Sequence, residues 1–234
     1  MMKSIIKLKH HNEIILPQKY IADDVRSSDN LVEYFINEFT KPDDIVFDPF
    51  SGFGTTLVMV EKLGRIGYGL EYLPDRTEYI KSLIKNPDNI ICGSALEMDN
   101  YDLPQFDFSF TSPPYMTKNN HAEYPFAAYQ ITGDGYEQYL HDMKTVYRQL
   151  SKHLKSGVYA VVKVCNIIKE GVLTTLAWDV AKSISEVMTF EREIIIEWEG
   201  NKKTATTVMV MTIITVLFSE RELKHEQFNL LHTR

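Results

Sequence analysis

Two short stretches carry residue types and spacings suited to chemistry. The first is DPFSGFGTT, residues 48–56. Gly52 and Gly54 allow positive backbone torsions and close approach of a ligand to the main chain. Such a pair also serves as a plain tight turn, so its neighbours decide the reading. A dinucleotide fingerprint would place a third glycine where Leu57 stands. A phosphate loop would carry Gly-Lys-Ser/Thr where Gly54-Thr55-Thr56 stands. Asp48 would repel a phosphate and favour a cationic ligand such as an amino group. The second stretch is TSPPY, residues 111–115. Pro113 and Pro114 each remove an amide donor and fix a torsion, and each pushes the preceding residue to extended geometry. The product is a stiff turn presenting the Ser112 hydroxyl and backbone carbonyls, with Tyr115 on the same element. Such a turn suits a planar substrate with an amino group. Tyr115 can stack on the ring, while Ser112 and the Pro113 carbonyl accept hydrogen bonds from the amine.

A further acid lies about 20 residues beyond the glycines, at the end of YGLEY: Glu71. An acid at that spacing takes ribose hydroxyls as hydrogen-bond donors. A bare strand-end charge is the alternative, and the glycine loop tips the balance toward the ribose. A cationic, ribose-bearing ligand without phosphates is S-adenosylmethionine.

These groups need elements to place them. Apolar strands are expected at 43–50, 65–72, 89–96 and 106–115. Helices are expected at 54–64, with a glycine at its end, and at 74–86, with Pro74 in the first turn. A long helical pattern covers 135–155, with Tyr139, Met143, Val146, Tyr147, Leu150 and Leu154 at helical spacing. Further segments read as a strand at 157–165, a helix at 174–188 and strands at 191–199 and 206–218. Ser28 or Asp29 is placed to cap a helix through 31–39 that leads into the glycine loop. Alternating strands and helices imply an α/β, Rossmann-like fold with a mostly parallel sheet. GNKKTA is too short for a parallel crossover, so the last two strands should form an antiparallel hairpin at the sheet's end.

Composition bounds the class. The chain has 234 residues, 44% hydrophobic and 24% charged, which suits one compact domain over 1–234, with 1–24 as an N-terminal extension. No apolar run reaches the ~18 residues of a membrane span, and the N-terminus lacks the pattern of a secretory signal. Cys92 and Cys165 give no disulfide or zinc spacing. They read as buried, reduced thiols of a cytoplasmic protein, and no metal is expected. His10 and His11 read as an exposed pair. The net charge of -7 argues against broad non-specific nucleic-acid binding, but leaves room for a local basic face.

DPFSGFGTT together with TSPPY resembles the two signature motifs of the exocyclic-amino DNA methyltransferases, which methylate cytosine N4 or adenine N6. The resemblance runs from about Asp29 to Tyr115 and takes in the helix before the glycine loop. Ser112 before the proline pair is more similar to the cytosine-N4 branch. The resemblance implies S-adenosylmethionine as cofactor. It implies that Asp48, Phe50, Gly52 and Gly54 surround the methionine part, with Thr55 and Thr56 opening the next helix. It also implies Glu71 on the ribose, Ser94 beside the adenine, Thr111 nearest the cofactor and Ser112-Pro113-Pro114-Tyr115 as the catalytic turn. Cys92 and Cys165 lack the Pro-Cys context of the carbon-5 methylases.

No separate target-recognition domain is evident. Residues 116–135 offer His121, Tyr124, Phe126 and Tyr129 for stacking on nucleic acid, or form a lid. Lys202 and Lys203 sit in the final turn, to touch phosphates or simply to solubilise. DNA is the expected partner, with a homodimer or a separate specificity subunit as ways to supply recognition. Host modification, mobile-element protection and partnership with a nuclease are the biological roles such an enzyme serves. The competing functions are an RNA base methyltransferase, a protein or small-molecule amino-methyltransferase and a non-catalytic cofactor-binding subunit.

Overall fold

The computed structural model describes residues 4–118, 135–199 and 211–217. Its frame is an eight-stranded sheet. The strands are β1 (Ile5–Lys9), β2 (Ile45–Asp48), β3 (Ile66–Glu71), β4 (Ile90–Cys92), β5 (Phe108–Thr111), β6 (Tyr159–Val164), β9 (Thr189–Glu199) and β10 (Met211–Leu217). They run in the order β1-β9-β10-β6-β5-β2-β3-β4. β10 is antiparallel to β9 and β6, and the other pairs are parallel.

Helices cover both faces. α1 (Asp29–Phe39) and α2 (Thr55–Lys62) lie on one side. There Leu31, Val32, Phe35 and Ile36 bury the helical stripe of α1 against Val46, Phe108, Phe110 and Val161. α4 (Tyr136–His153) and α5 (Leu176–Ile184) lie on the other. All six apolar residues expected at helical spacing in α4 and just beyond it are buried there. α3 (Pro74–Lys81) links β3 to β4 and ends earlier than the sequence pattern suggests. The chain leaves β2 through α2 to reach β3 on one side, whereas β5 flanks β2 on the other. The order therefore reverses between β2 and β5, and the carboxyl ends of those strands open the crevice where ligands bind in such sheets.

Three features were not legible beforehand. The N-terminal stretch supplies β1, which pairs parallel with β9 from Ile5↔Ile195 to Lys9↔Glu199. The expected β9–β10 hairpin is present, but β1 covers it, so it is not the sheet's edge. A small hairpin of β7 (Ile167–Lys169) and β8 (Val172–Thr174) stands apart from the main sheet. It turns at Glu170 (φ 52) and Gly171 (φ 79), which matches the positive torsions a two-residue hairpin needs. The thiols also differ from expectation: Cys92 is exposed and Cys165 is half-buried. Cys92 ends the short strand β4, which has no further strand beside it among the described residues. No helix among the described residues is long and apolar enough to cross a membrane.

Candidate functional site

The glycine loop is a tightly bonded connection from β2 to α2. Asp48 closes β2, and its Oδ1 accepts the Phe50 amide at 3.0 Å. The Ser51 amide donates to the Leu70 carbonyl at 2.9 Å and the Gly54 amide to the Ser51 carbonyl at 2.7 Å. The Ser51 hydroxyl donates to the Asp48 carbonyl at 3.0 Å. Gly52 (φ 57) and Gly54 (φ 82) hold left-handed torsions that a side chain would strain. The missing third glycine of the dinucleotide pattern has a physical replacement. Close packing of helix on strand is provided from the strand side, where a Cβ on Gly67 would meet the Leu57 Cα at 3.4 Å. A Cβ on Gly69 would lie 2.2 Å from Ser51 Oγ, 3.0 Å from Leu57 Cδ1 and 3.2 Å from the Asp48 carbonyl oxygen. Gly69→Ala should therefore lower stability by about 1–3 kcal/mol, the usual range for overpacking. Urea unfolding checks this, and an unchanged midpoint would mean that the loop shifts freely.

Asp48 joins the two motifs. The Thr111 hydroxyl, at the end of the neighbouring strand β5, donates to Asp48 Oδ1 at 2.6 Å. Both residues are buried. Burial pushes the Asp48 carboxyl up to about 6, against the hydrogen bonds from Thr111, Thr56 and the Phe50 amide. The ionised carboxylate is thus held at a cost, and a cation brought to it would relieve that cost. Beside it in the loop, the Thr55 hydroxyl is buried with no hydrogen-bond partner among the described residues, a polar group available to a ligand. The raised value fixes a sign. Asp48 contributes stability in its neutral form, complete below its ordinary value of 3.8 and lost as pH rises through about 6. In ligand-free protein, the stability gap between wild type and Asp48→Asn should therefore widen against wild type from pH 4.5 to pH 7. Paired urea titrations measure that gap, and a constant difference would contradict the assignment.

Glu71 closes β3, and its two oxygens accept backbone amides: Oε2 from Gly52 and Oε1 from Leu73, each at 2.9 Å. It thus braces the glycine loop as well as facing the crevice. Each carboxylate oxygen has a second lone pair for a hydroxyl donor. Burial raises its carboxyl, with Arg76 opposing. The Arg76 guanidinium lies 4.5 Å from the Phe53 ring centroid, and Tyr20 packs on the same ring at 5.1 Å. Ser94 follows β4 and is buried. Its Oγ accepts the Leu96 amide at 3.1 Å, and its own amide donates to the Tyr101 hydroxyl at 2.9 Å. Ser94 therefore caps the short helix that follows the carboxyl end of β4.

The proline turn follows Thr111 directly. Ser112 and Tyr115 are half-buried and Pro113 is buried. The Tyr139 hydroxyl, from α4, donates to the Pro114 carbonyl at 2.8 Å. The Tyr115 hydroxyl donates to the Lys163 carbonyl of β6 at 3.2 Å. Burial drives the Tyr115 phenol well above its ordinary range, with Cys165 and Ser112 as close polar neighbours. Beyond the turn, the Lys118 amide donates to Thr174 Oγ1 at 3.0 Å and its ammonium pairs with Asp179 at 3.0 Å. The turn is thus fastened to α4, β6 and the β8–α5 junction.

Asp48, Phe50, Gly52, Gly54, Thr55, Thr56, Glu71, Ser94, Thr111 and the proline turn all fall at the carboxyl ends of β2 to β5. His121, Tyr124, Phe126, Tyr129, Lys202 and Lys203 lie outside the described residues. Sequence reasoning missed the bonds of Tyr139, which reads only as part of the apolar stripe over 135–155, and of Tyr101, which carries no sequence signal. It also missed Lys163, whose signal was available: it is a single charge inside the apolar strand YAVVKV.

Residues 23–82 match the family described as DNA methylase, a span that includes α1, the glycine loop and Glu71. The type II methyltransferase M.BglII from Bacillus subtilis is 35% identical over 96 residues, which is 41% of this chain and 23% of that protein. The match thus takes in less than a quarter of that relative. Among solved structures, TrmN from Thermus thermophilus superposes with TM-score 0.59 at 13% identity, over 86% of this chain and 52% of that one. An RNA methyltransferase from Salinibacter ruber in complex with S-adenosyl-L-homocysteine gives TM-score 0.50 at 14% identity, over 84% and 95% of the two chains. At such identities these structures speak for the fold alone. Residues 23–82, which carry the glycine loop, are thus similar to the DNA methylase family, and the whole described chain has the Rossmann-like fold of S-adenosylmethionine-dependent methyltransferases.

Proposed function

We propose that the chain transfers a methyl group from S-adenosylmethionine to the exocyclic amine of a DNA base, cytosine N4 in preference to adenine N6. The observation that carries this reading is the 2.6 Å hydrogen bond from Thr111 to Asp48. It ties the glycine loop to the proline turn across the point where the strand order reverses, so cofactor and acceptor would meet there. Asp48, Phe50, Gly52, Gly54, Thr55, Thr56, Glu71, Ser94 and Thr111 would hold the cofactor. The fit rests on a buried carboxylate that favours a cation, on the free lone pairs of Glu71 and on the unpartnered Thr55 hydroxyl. When bound, S-adenosylmethionine supplies an electrophilic methyl group on a sulfonium.

The chain's own residues do the rest. The base leaves its helix, or is already unpaired, and enters at the strand ends. Tyr115 stacks on it, its ring held by the hydroxyl bond to Lys163. The Ser112 hydroxyl and the Pro113 carbonyl accept hydrogen bonds from the amine and turn its lone pair out of the ring plane. Tyr139 engages the Pro114 carbonyl, so that bond leaves the Pro113 carbonyl to the amine. Catalysis comes from orientation and from acceptors set where positive charge develops on nitrogen. No protein nucleophile is involved. We read 1–234 as one methyltransferase domain, with sequence recognition supplied by residues 116–135, a second copy or a partner.

An RNA base is the second reading, favoured by the shared fold of RNA methyltransferases. Incubating the protein with methyl-labelled S-adenosylmethionine and unmethylated DNA, RNA or protein tests the class. Label in DNA supports the proposal, and label confined to RNA or protein overturns it.

A further inference from the structure

Lys163 is a cation in an unusual place. It is only 6% exposed, in a strand whose other residues are apolar. The β5–β6 register pairs Thr111 with Val162, so Lys163 follows on β6 where Ser112 follows on the chain leaving β5, and its carbonyl takes the Tyr115 hydroxyl of the same turn. Val162 and Val164 turn into the core beneath α4 and α5. By strand alternation Lys163 points to the opposite face, shared with Val161 and α1.

The groups around it do not neutralise it. Asp24 is the carboxylate close enough to act on it, yet both Asp24 oxygens already accept from Arg26, at 2.8 and 2.9 Å. Cys165 is its other titratable neighbour, and the Tyr115 hydroxyl touches only its backbone carbonyl. The Lys163 ammonium has no hydrogen-bond or ion-pair partner among the described residues. The residue is buried while its ammonium has no such protein partner, so the donor is free to meet a ligand. Burial brings its pKa down to about 8, and Cys165 and Asp24 oppose the fall. It therefore still carries a proton in most molecules at neutral pH.

We propose that Lys163 is a specificity residue of the base pocket, donating a hydrogen bond to the ring carbonyl of cytosine while Ser112 holds the amine. This rests on the base-amine reading above. Cytosine carries its O2 acceptor at the far end of the edge that bears N4. Adenine offers a C–H where that carbonyl would be. An ammonium beside the reacting amine itself would oppose the positive charge developing there, so the far end of the edge is its productive position. The contact leaves a buried donor unpaired when adenine enters, which is the stronger kind of discrimination.

The test uses Lys163→Met, similar in volume and uncharged, with Lys163→Arg as the donor-keeping control. Each is incubated with labelled S-adenosylmethionine and unmethylated DNA, and methylated cytosine and adenine are counted after digestion. Thermal midpoint and S-adenosylmethionine affinity are measured in parallel. The Met variant should keep cofactor affinity within ~3-fold, hold or raise its midpoint and lose ~10- to 100-fold in cytosine methylation. The Arg variant should recover part of that loss. Wild-type turnover should fall as pH rises through about 8, and the Met variant should lack that limb. Full cytosine turnover in the Met variant overturns the proposal. So does a wild-type rate that rises through the same pH range, which would make Lys163 a proton acceptor. A Met variant that loses both midpoint and cofactor binding would assign Lys163 to structure instead. Adenine as the sole product also overturns it while leaving the family reading intact, whereas wild type that labels no base overturns both.

Discussion

Ser112→Ala should lower turnover by at least ~100-fold while leaving S-adenosylmethionine affinity within ~3-fold. Loss of one preorganised partner for charge that develops in the transition state typically costs two to three orders of magnitude, ~10²–10³. The serine is half-buried on a turn fastened by Tyr139 and by the Lys118–Thr174 bond, so the substitution removes an acceptor and the Ser112 contact with Tyr115 while those fastenings remain. The Asp48–Thr111 link and the glycine loop are untouched by it, which is why cofactor affinity should hold. Tyr115→Ala should behave alike through lost stacking. A drop in turnover matched by an equal drop in cofactor affinity would point to a general collapse of the crevice. Single-turnover kinetics with parallel calorimetry separate the two.

Asp48→Asn should move stability and binding in opposite directions. The amide keeps an oxygen for the Thr111 hydroxyl and the Phe50 amide, the two bonds at Oδ1. It removes the charge whose burial pushes the carboxyl up to about 6. At neutral pH the ligand-free variant should therefore melt a few degrees higher, since relief of ~1 kcal/mol moves a midpoint by that much in a domain of this size. The cationic ligand loses its counter-charge, and S-adenosylmethionine affinity should fall by ~30-fold or more, equivalent to ~2 kcal/mol. Differential scanning calorimetry and binding titration on the same preparation test both halves. A variant that is less stable and binds unchanged would place the cationic end of the ligand elsewhere.

Much of this was legible because the relevant signals are local. The β2–α2–β3 unit announces itself through an apolar strand, two glycines with positive torsions and a strand-end acid about 20 residues on. The long stripe from Tyr139 to Leu154 identifies α4 by period alone. What stayed hidden depends on pairings distant in sequence. β1 is a short edge strand whose partner, β9, begins at Thr189, and nothing within IIKLK specifies that match. The β7–β8 hairpin turns at Glu-Gly instead of a strong Asn-Gly signal. The candidate site residues could be named as a set from the sequence, but their hydrogen-bond partners could not. Glu71 braces Gly52, Ser94 caps a short helix and the Tyr115 hydroxyl is committed to Lys163. Hydrogen bonds of this kind depend on tertiary placement, and residue type does not disclose them.

The proposed reaction is methyl transfer to an exocyclic base amine. The most direct measurement is mass spectrometry of the nucleosides released from DNA after incubation with methyl-labelled S-adenosylmethionine and the purified chain, with any partner required for recognition. The expected product is N4-methyldeoxycytidine carrying the label. Label on a ring carbon or on a phosphate or sugar oxygen, or DNA left unlabelled while another polymer is labelled, would contradict it.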